Sequence, residues 1–139
     1  MTPQQIVAVR TSFAQVAPIA DQAAALFYNH LFAADPSLRT LFKSDMAQQG
    51  ERLMAMVGAA VGLLEQPARL LPVLHGLGRR HAGYGVMPGH YDTVGSALIR
   101  TLRDGLGEAF TPEVELAWRA MYATVAREMQ SAAAMEAVA

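Results

Sequence analysis

The sequence predicts an all-α fold, and three observations predict it. Proline repeatedly stands just inside a helix start, in Thr2-Pro3, Asp35-Pro36 and Thr111-Pro112, where its missing N–H costs nothing because that group has no partner within the helix. Apolar residues recur at helical spacing, as in Leu70, Leu74 and Leu77. Strand signals are poor: there is no sustained two-residue alternation and no Asn-Gly or Asp-Gly hairpin turn, and Ala and Leu outweigh β-branched residues.

Each element can be justified in order. Thr2 and Gln5 form a capping-box pattern that opens a helix over Pro3–Val16. Pro18 ends that segment, and Ile19–Ala33 is the next. Asp35 caps a short corner helix over Pro36–Phe42. Ala47–Glu65, Pro67–Ala82 and His90–Leu106 follow, separated by Pro67, Gly83, Gly85, Pro88 and Gly89, and Pro112–Ala134 closes the series with an alanine-rich tail expected to fray after about Ser131. A two-turn helix among longer helices of unequal length does not suit a regular four-helix bundle. It suits one irregular helical domain over residues 1–139.

Composition narrows the function classes. Hydrophobic residues make up 53% without counting Gly, against an average of about 45–50% with it. A membrane span needs roughly 18 apolar residues in a row, and the longest candidate, Leu53–Leu64, is short and bounded by Glu51, Arg52 and Glu65. No membrane partner is expected, and the start of the chain lacks a basic region before an apolar run, so a cytoplasmic protein is expected. The absence of cysteine excludes disulfides, thiolate metal sites and cysteine nucleophiles. With a net charge of -1 and Arg79-Arg80 as the one basic doublet, there is no footprint for nucleic acid. Glu-x-x-His, His-Glu-x-x-His and Gly-x-Ser-x-Gly are absent, and each Gly-x-Gly lacks the third glycine of a dinucleotide fingerprint.

What remains is a small set of polar groups on apolar helix faces. His81 continues the stripe of Leu70, Leu74 and Leu77, so its imidazole faces inward, either as a ligand or as a cap for carbonyls at a helix end. Gln49 begins a second stripe with Leu53, Val57, Ala60 and Leu64 and is either an amide on a binding face or a solvated first-turn residue. Tyr28 sits among Leu26, Phe27, Leu31 and Phe32, so its hydroxyl needs a partner. His75 is expected to be exposed, His30 to edge its helix, and His90 to lie at a helix start, in a loop role or against an anionic group.

These residues stand in blocks that resemble a family. Leu26-Phe27-Tyr28-Asn29-His30-Leu31-Phe32, Asp35 to Phe42, Leu77-Gly78-Arg79-Arg80-His81-Ala82-Gly83-Tyr84-Gly85-Val86, His90 to Gly95, and Ala117-Trp118 with Tyr122 resemble, in order and spacing, single-domain bacterial globins and the globin part of flavohaemoglobins. The resemblance implies a globin fold with haem b (iron protoporphyrin IX) buried between distal and proximal helices. It makes His81 the proximal iron ligand, Phe42 the ring against the haem, and Tyr28 and Gln49 the distal pair. Leu53 would lie one turn beyond Gln49 on the same face, Tyr91 and Val94 would line the proximal side, Val57 and Val86 would also contact the cofactor, and Arg80 would reach a propionate. The family's proximal carboxylate position falls on Ala133, with Glu128 and Glu136 out of register.

The implied function is binding of O2, NO or CO at a five-coordinate iron, used for O2 scavenging or transport or for nitric oxide detoxification. A nitric oxide dioxygenase would need electrons from an external reductase, since no flavin or nicotinamide domain follows. A gas sensor and a cofactor-free helical interaction module are the alternatives, and the chain is expected as a monomer or homodimer.

Overall fold

A computed structural model describes residues 1–43 and 45–138, with side chains through Met135. They form six α-helices: α1 (Pro3–Val16), α2 (Ala20–Ala34), α3 (Met46–Gly62), α4 (Pro67–Gly83), α5 (Pro88–Leu106) and α6 (Pro112–Val138). There is no strand among the described residues. The helix starts follow their caps. Thr2 Oγ1 accepts from Gln5 N while Gln5 Oε1 accepts from Thr2 N, and Asp35 accepts from Ser37 N to open a 3-10 corner over Pro36–Leu41. The Asp45 carboxylate accepts from Ala47 N at the head of α3.

Three boundaries differ by more than one residue from the sequence expectation, among them the end of α6, which runs to Val138, past Ala134 and the fraying expected after about Ser131. α3 stops at Gly62, before Glu65, because Leu63 to Glu65 turn the chain into Pro67. α5 starts at Pro88, two residues before His90, because His90 Nδ1 accepts from Met87 N and caps the first turn. This replaces a loop role for His90.

The core holds three apolar clusters. The first centres on Trp118 with Val9, Val16, Ile99 and Leu102, and the Trp118 indole N–H donates to Ser12 Oγ at 2.8 Å, satisfying a donor that is otherwise out of reach of water. The second gathers Phe27, Tyr28, Leu31 and Leu38 from α2 and the corner. The third gathers Leu70, Leu74, Tyr91, Ala126 and Met129 from α4, α5 and α6. α5 crosses both of the latter, with Tyr91 in the third and Ala97 in the second.

The arrangement of partners separates two consecutive helices. α3 packs on α2 and α1, whereas α4 packs on α6, so these helices do not pack along one another. They meet where Ala60, Leu63 and Leu64 pack against the Leu70 cluster. Close backbone approach holds each half. A Cβ on Gly50 would come within 2.9 Å of Ala24 Cβ, and one on Gly78 would overlap the Met129 carbonyl oxygen. Only glycine allows helices this near, and the two positions adjoin Gln49 and precede His81 by one turn.

Candidate functional site

His81 lies in the last turn of α4 and is half-buried. Its Nδ1 is 2.8 Å from the Leu77 carbonyl oxygen, the contact expected from the sequence. A carbonyl only accepts, so Nδ1 carries the proton and Nε2 keeps its lone pair. Burial lowers the imidazole pKa, the Leu77 bond opposes that, and neighbouring Arg80 lowers it further. The ring is therefore held neutral with Nε2 free to coordinate.

The helix end shows why His81 is not serving as a cap. Val86 N donates to the His81 carbonyl at 3.0 Å and Gly85 N to the Ala82 carbonyl at 3.1 Å, with Gly85 at φ 92°. This pair of bonds closes the last turn by backbone alone. The imidazole is left for another task.

Tyr28 belongs to a separate cluster, in a wall of rings. Its ring meets Phe27 edge-on at 5.2 Å and Phe42 at 5.3 Å, and stacks on Phe32 at 5.9 Å. Burial pushes its hydroxyl up to about 12, so it stays a donor at any ordinary pH. Among the described residues no side chain or carbonyl receives that hydroxyl, although the residue as a whole is 7% exposed. Leu53 and Val94 pack against this same cluster.

Gln49 sits half-buried in the first turn of α3, and its side chain is not the cap, since Asp45 fills that role. Val57 lies one turn past Leu53 and packs toward Trp118 instead of toward Tyr28. With Leu53, Phe27 and Leu98 it lines an apolar cavity of about 20 Å³.

The proximal wall is built on α4, α5 and α6. Val86 and Leu77 pack against the cluster that holds Tyr91. The Tyr91 carbonyl accepts from the Tyr122 hydroxyl at 2.6 Å, and the Tyr122 ring fills the space a Cβ on Gly95 would need. Tyr91 is 8% exposed, its own hydroxyl has no partner among the described residues, and burial raises its pKa.

The structure therefore gathers Tyr28, Phe42, Leu53 and Val94 into one wall, so that Val94 packs with Tyr28 and not with Tyr91 as expected, and Val86 and Tyr91 into another. Arg80 stands apart from both, exposed, with its guanidinium against the helix surface at Gly76. His75, expected to be exposed, is half-buried and bonds Glu128 at 2.9 Å, because α6 covers that side of α4. His30 edges α2 as expected and pairs with Asp104 at 2.7 Å. Glu128 is thereby committed away from Tyr91, Ala133 supplies no carboxylate, and the Glu136 side chain lies outside the described residues. The Tyr122 bond and the Gly78 contact carried little signal in the sequence beyond a small residue interrupting an apolar stripe.

A family model described as Globin matches residues 25–129, which contain α3, α4 and α5 whole and most of α2 and α6. The chain is a globin. Within that family it is similar to flavohemoproteins: 36% identical over 103 residues to one from Bordetella parapertussis, 33% to one from Rhizobium meliloti and 29% to one from Bacillus subtilis. Each match covers 72% of this globin and 26% of the relative, so the chain spans about a quarter of the length of these curated relatives. Among its described residues no group of three or more His, Cys, Asp or Glu side chains could hold a bare metal ion. One neutral imidazole, with Leu77 and Val86 packed in the apolar cluster of the same region, is instead the donor chemistry that fits an iron already ringed by a macrocycle.

Proposed function

We propose that this globin holds haem b through His81 Nε2 and binds O2, NO or CO on the Tyr28 side. The observation that carries the reading is the His81 imidazole, with its tautomer set by Leu77, its helix end capped without it, and its Nε2 free. When bound, haem supplies an iron with an open coordination position for a diatomic gas. Leu53, Phe42 and Val94, with Val57 one turn beyond Leu53, would give it apolar contacts, Val86 and Tyr91 would line the His81 side, and Arg80, whose planar fork matches a carboxylate, would hold a propionate.

Tyr28 and Gln49 each present an N–H or O–H donor to the gas. If each hydrogen bond contributes about 1–1.5 kcal/mol, the pair contributes about 2–3 kcal/mol, a factor of about 30 to 150 in retention. O2 draws more electron density from a ferrous iron than CO does, so it gains more from these donors. Such retention suits scavenging or nitric oxide detoxification, in which Tyr28 and Gln49 orient O2 for reaction with NO. The similarity to flavohemoproteins supports an electron-donating reductase as partner. The lack of a proximal carboxylate at Ala133 limits how strongly His81 is polarised. Among the described residues no helix is long and apolar enough to cross a membrane.

The test is an absorption spectrum of the protein supplied with haem. A Soret band is expected for the natural chain, lost or shifted in His81→Ala and restored by added imidazole. An unchanged band in His81→Ala without imidazole would overturn the assignment.

A further inference from the structure

The surface around the far face of α4 differs from the rest of the molecule. Between Gln66 and Tyr91 lie three of the chain's eleven Lys and Arg residues and none of its twelve carboxylates, so this stretch is +3. The remainder has eight cations against twelve carboxylates, a net of -4. All three arginines, Arg69, Arg79 and Arg80, are exposed; Arg80 is assigned above to a propionate, which leaves Arg69 and Arg79 as the cations available on this face. The nearest flanking carboxylate before them, Glu65, is taken by Arg10 at 3.0 Å. Beside the arginines the same region exposes Val73 at 39%, Tyr84 at 66% and Met87 at 60%, three of the few large apolar side chains left in water. Arg, Tyr and Met are the residues enriched where proteins meet, while Asp, Glu and Lys are depleted there.

We propose that this face docks an acidic one-electron-donor protein. The inference rests on the haem-binding reading above, because it is the outer side of the helix that carries His81. Charge complementarity selects the occupant. A second copy of the chain seated on the same face by a two-fold axis would set arginines against arginines, whereas an acidic donor is drawn in by a field that the negative remainder of the molecule orients. In the step served, one electron leaves a reduced flavin or iron–sulfur centre of the donor and arrives at the His81-held iron, ferric to ferrous, with no atom transferred.

The experiment follows reduction of the ferric, haem-loaded protein by a reduced plant-type ferredoxin as the acidic donor, and by photoreduced lumiflavin as an uncharged one. The Arg69→Glu/Arg79→Glu double variant is expected to slow ferredoxin by about tenfold or more at low ionic strength, with the difference vanishing in high salt, and to leave lumiflavin unaffected. Arg100→Glu/Arg127→Glu, which changes net charge equally on exposed faces of α5 and α6, is expected to leave the ferredoxin rate near that of the natural chain. Equal slowing by both double variants, or no salt dependence, would overturn the proposal, as would a dimer in solution that the α4 substitutions dissociate. Ferredoxin affinity is also measured by titration on haem-free protein. Failure to take up haem would sink the functional reading, whereas haem uptake with no α4-dependent affinity would sink this one alone.

Discussion

Replacing Gly78 by alanine tests the contact that sets the position of His81. A Cβ there would overlap the Met129 carbonyl oxygen and come within 2.7 Å of Met129 C and Cα, against an ordinary contact of 3.4 Å or more. The obstacle is α6 backbone, which has no rotamer to change, so α4 must move out by roughly 0.7 Å or more. Overpacking of this kind costs about 1–3 kcal/mol, and the upper end applies when backbone is the obstacle. The substitution also recovers about 0.8–1.0 kcal/mol of helix propensity. The net expectation is a loss of about 2 kcal/mol, or roughly 5–10 °C in Tm for a domain of this size.

Gly76→Ala is the control two residues away, where a Cβ meets only the mobile Arg80 guanidinium at 3.4 Å. It keeps the propensity gain, about 0.5–1 kcal/mol of stabilisation. Thermal unfolding followed by circular dichroism, with and without haem, reads both variants. If Gly78→Ala is as benign as Gly76→Ala, α4 and α6 do not approach as described and the account of how His81 is held fails.

Other expectations concern the site and the core. Tyr28→Phe keeps the ring stacking and removes one donor, and Gln49→Leu removes the other, so each should speed O2 dissociation about tenfold by stopped flow; unchanged rates in both would place the donors elsewhere. His81 has a lowered pKa in the folded chain, so the unfolded chain, near 6.5, takes up protons first. Haem-free protein should therefore hold its full His81 contribution above about pH 6.5 and lose it as pH falls through the folded value. Chemical denaturation of the natural chain and His81→Leu across pH 5 to 8 should differ in slope only there, and parallel curves would refute the direction. Ser12→Ala strands the buried Trp118 N–H and should cost about 1–3 kcal/mol by urea unfolding; a neutral result would mean that water reaches the indole.

Much of the fold was legible because its signals are local. Proline at first helical positions, Asp35 as a cap, and the leucine stripe ending in His81 all act within one or two turns, so their geometry follows from the chain alone. The errors came where a distant element decided. His75 lies only slightly off the leucine stripe, and whether that angle faces water depends on α6, which supplies Glu128. Val57 continues the Gln49–Leu53 stripe, yet the α3 face turns enough in one turn to carry it into the Trp118 cluster. Arg80 follows the sequence into the last turn of α4, but its long side chain lies back along the helix over Gly76.

By itself, then, the sequence determined the helical class, most helix starts, the inward direction of His81 and the ordered blocks that mark a globin. It also carried the charge asymmetry of residues 66–91, which is a matter of composition. Tertiary structure alone decided that α3 and α4 part company, one onto α2 and the other onto α6. The physical reason is that a helical pattern states which face is apolar but not what covers it. Here that choice lies with glycines at helix crossings, Gly50 against Ala24 and Gly78 against Met129, where the absence of a side chain matters only once the partner backbone arrives.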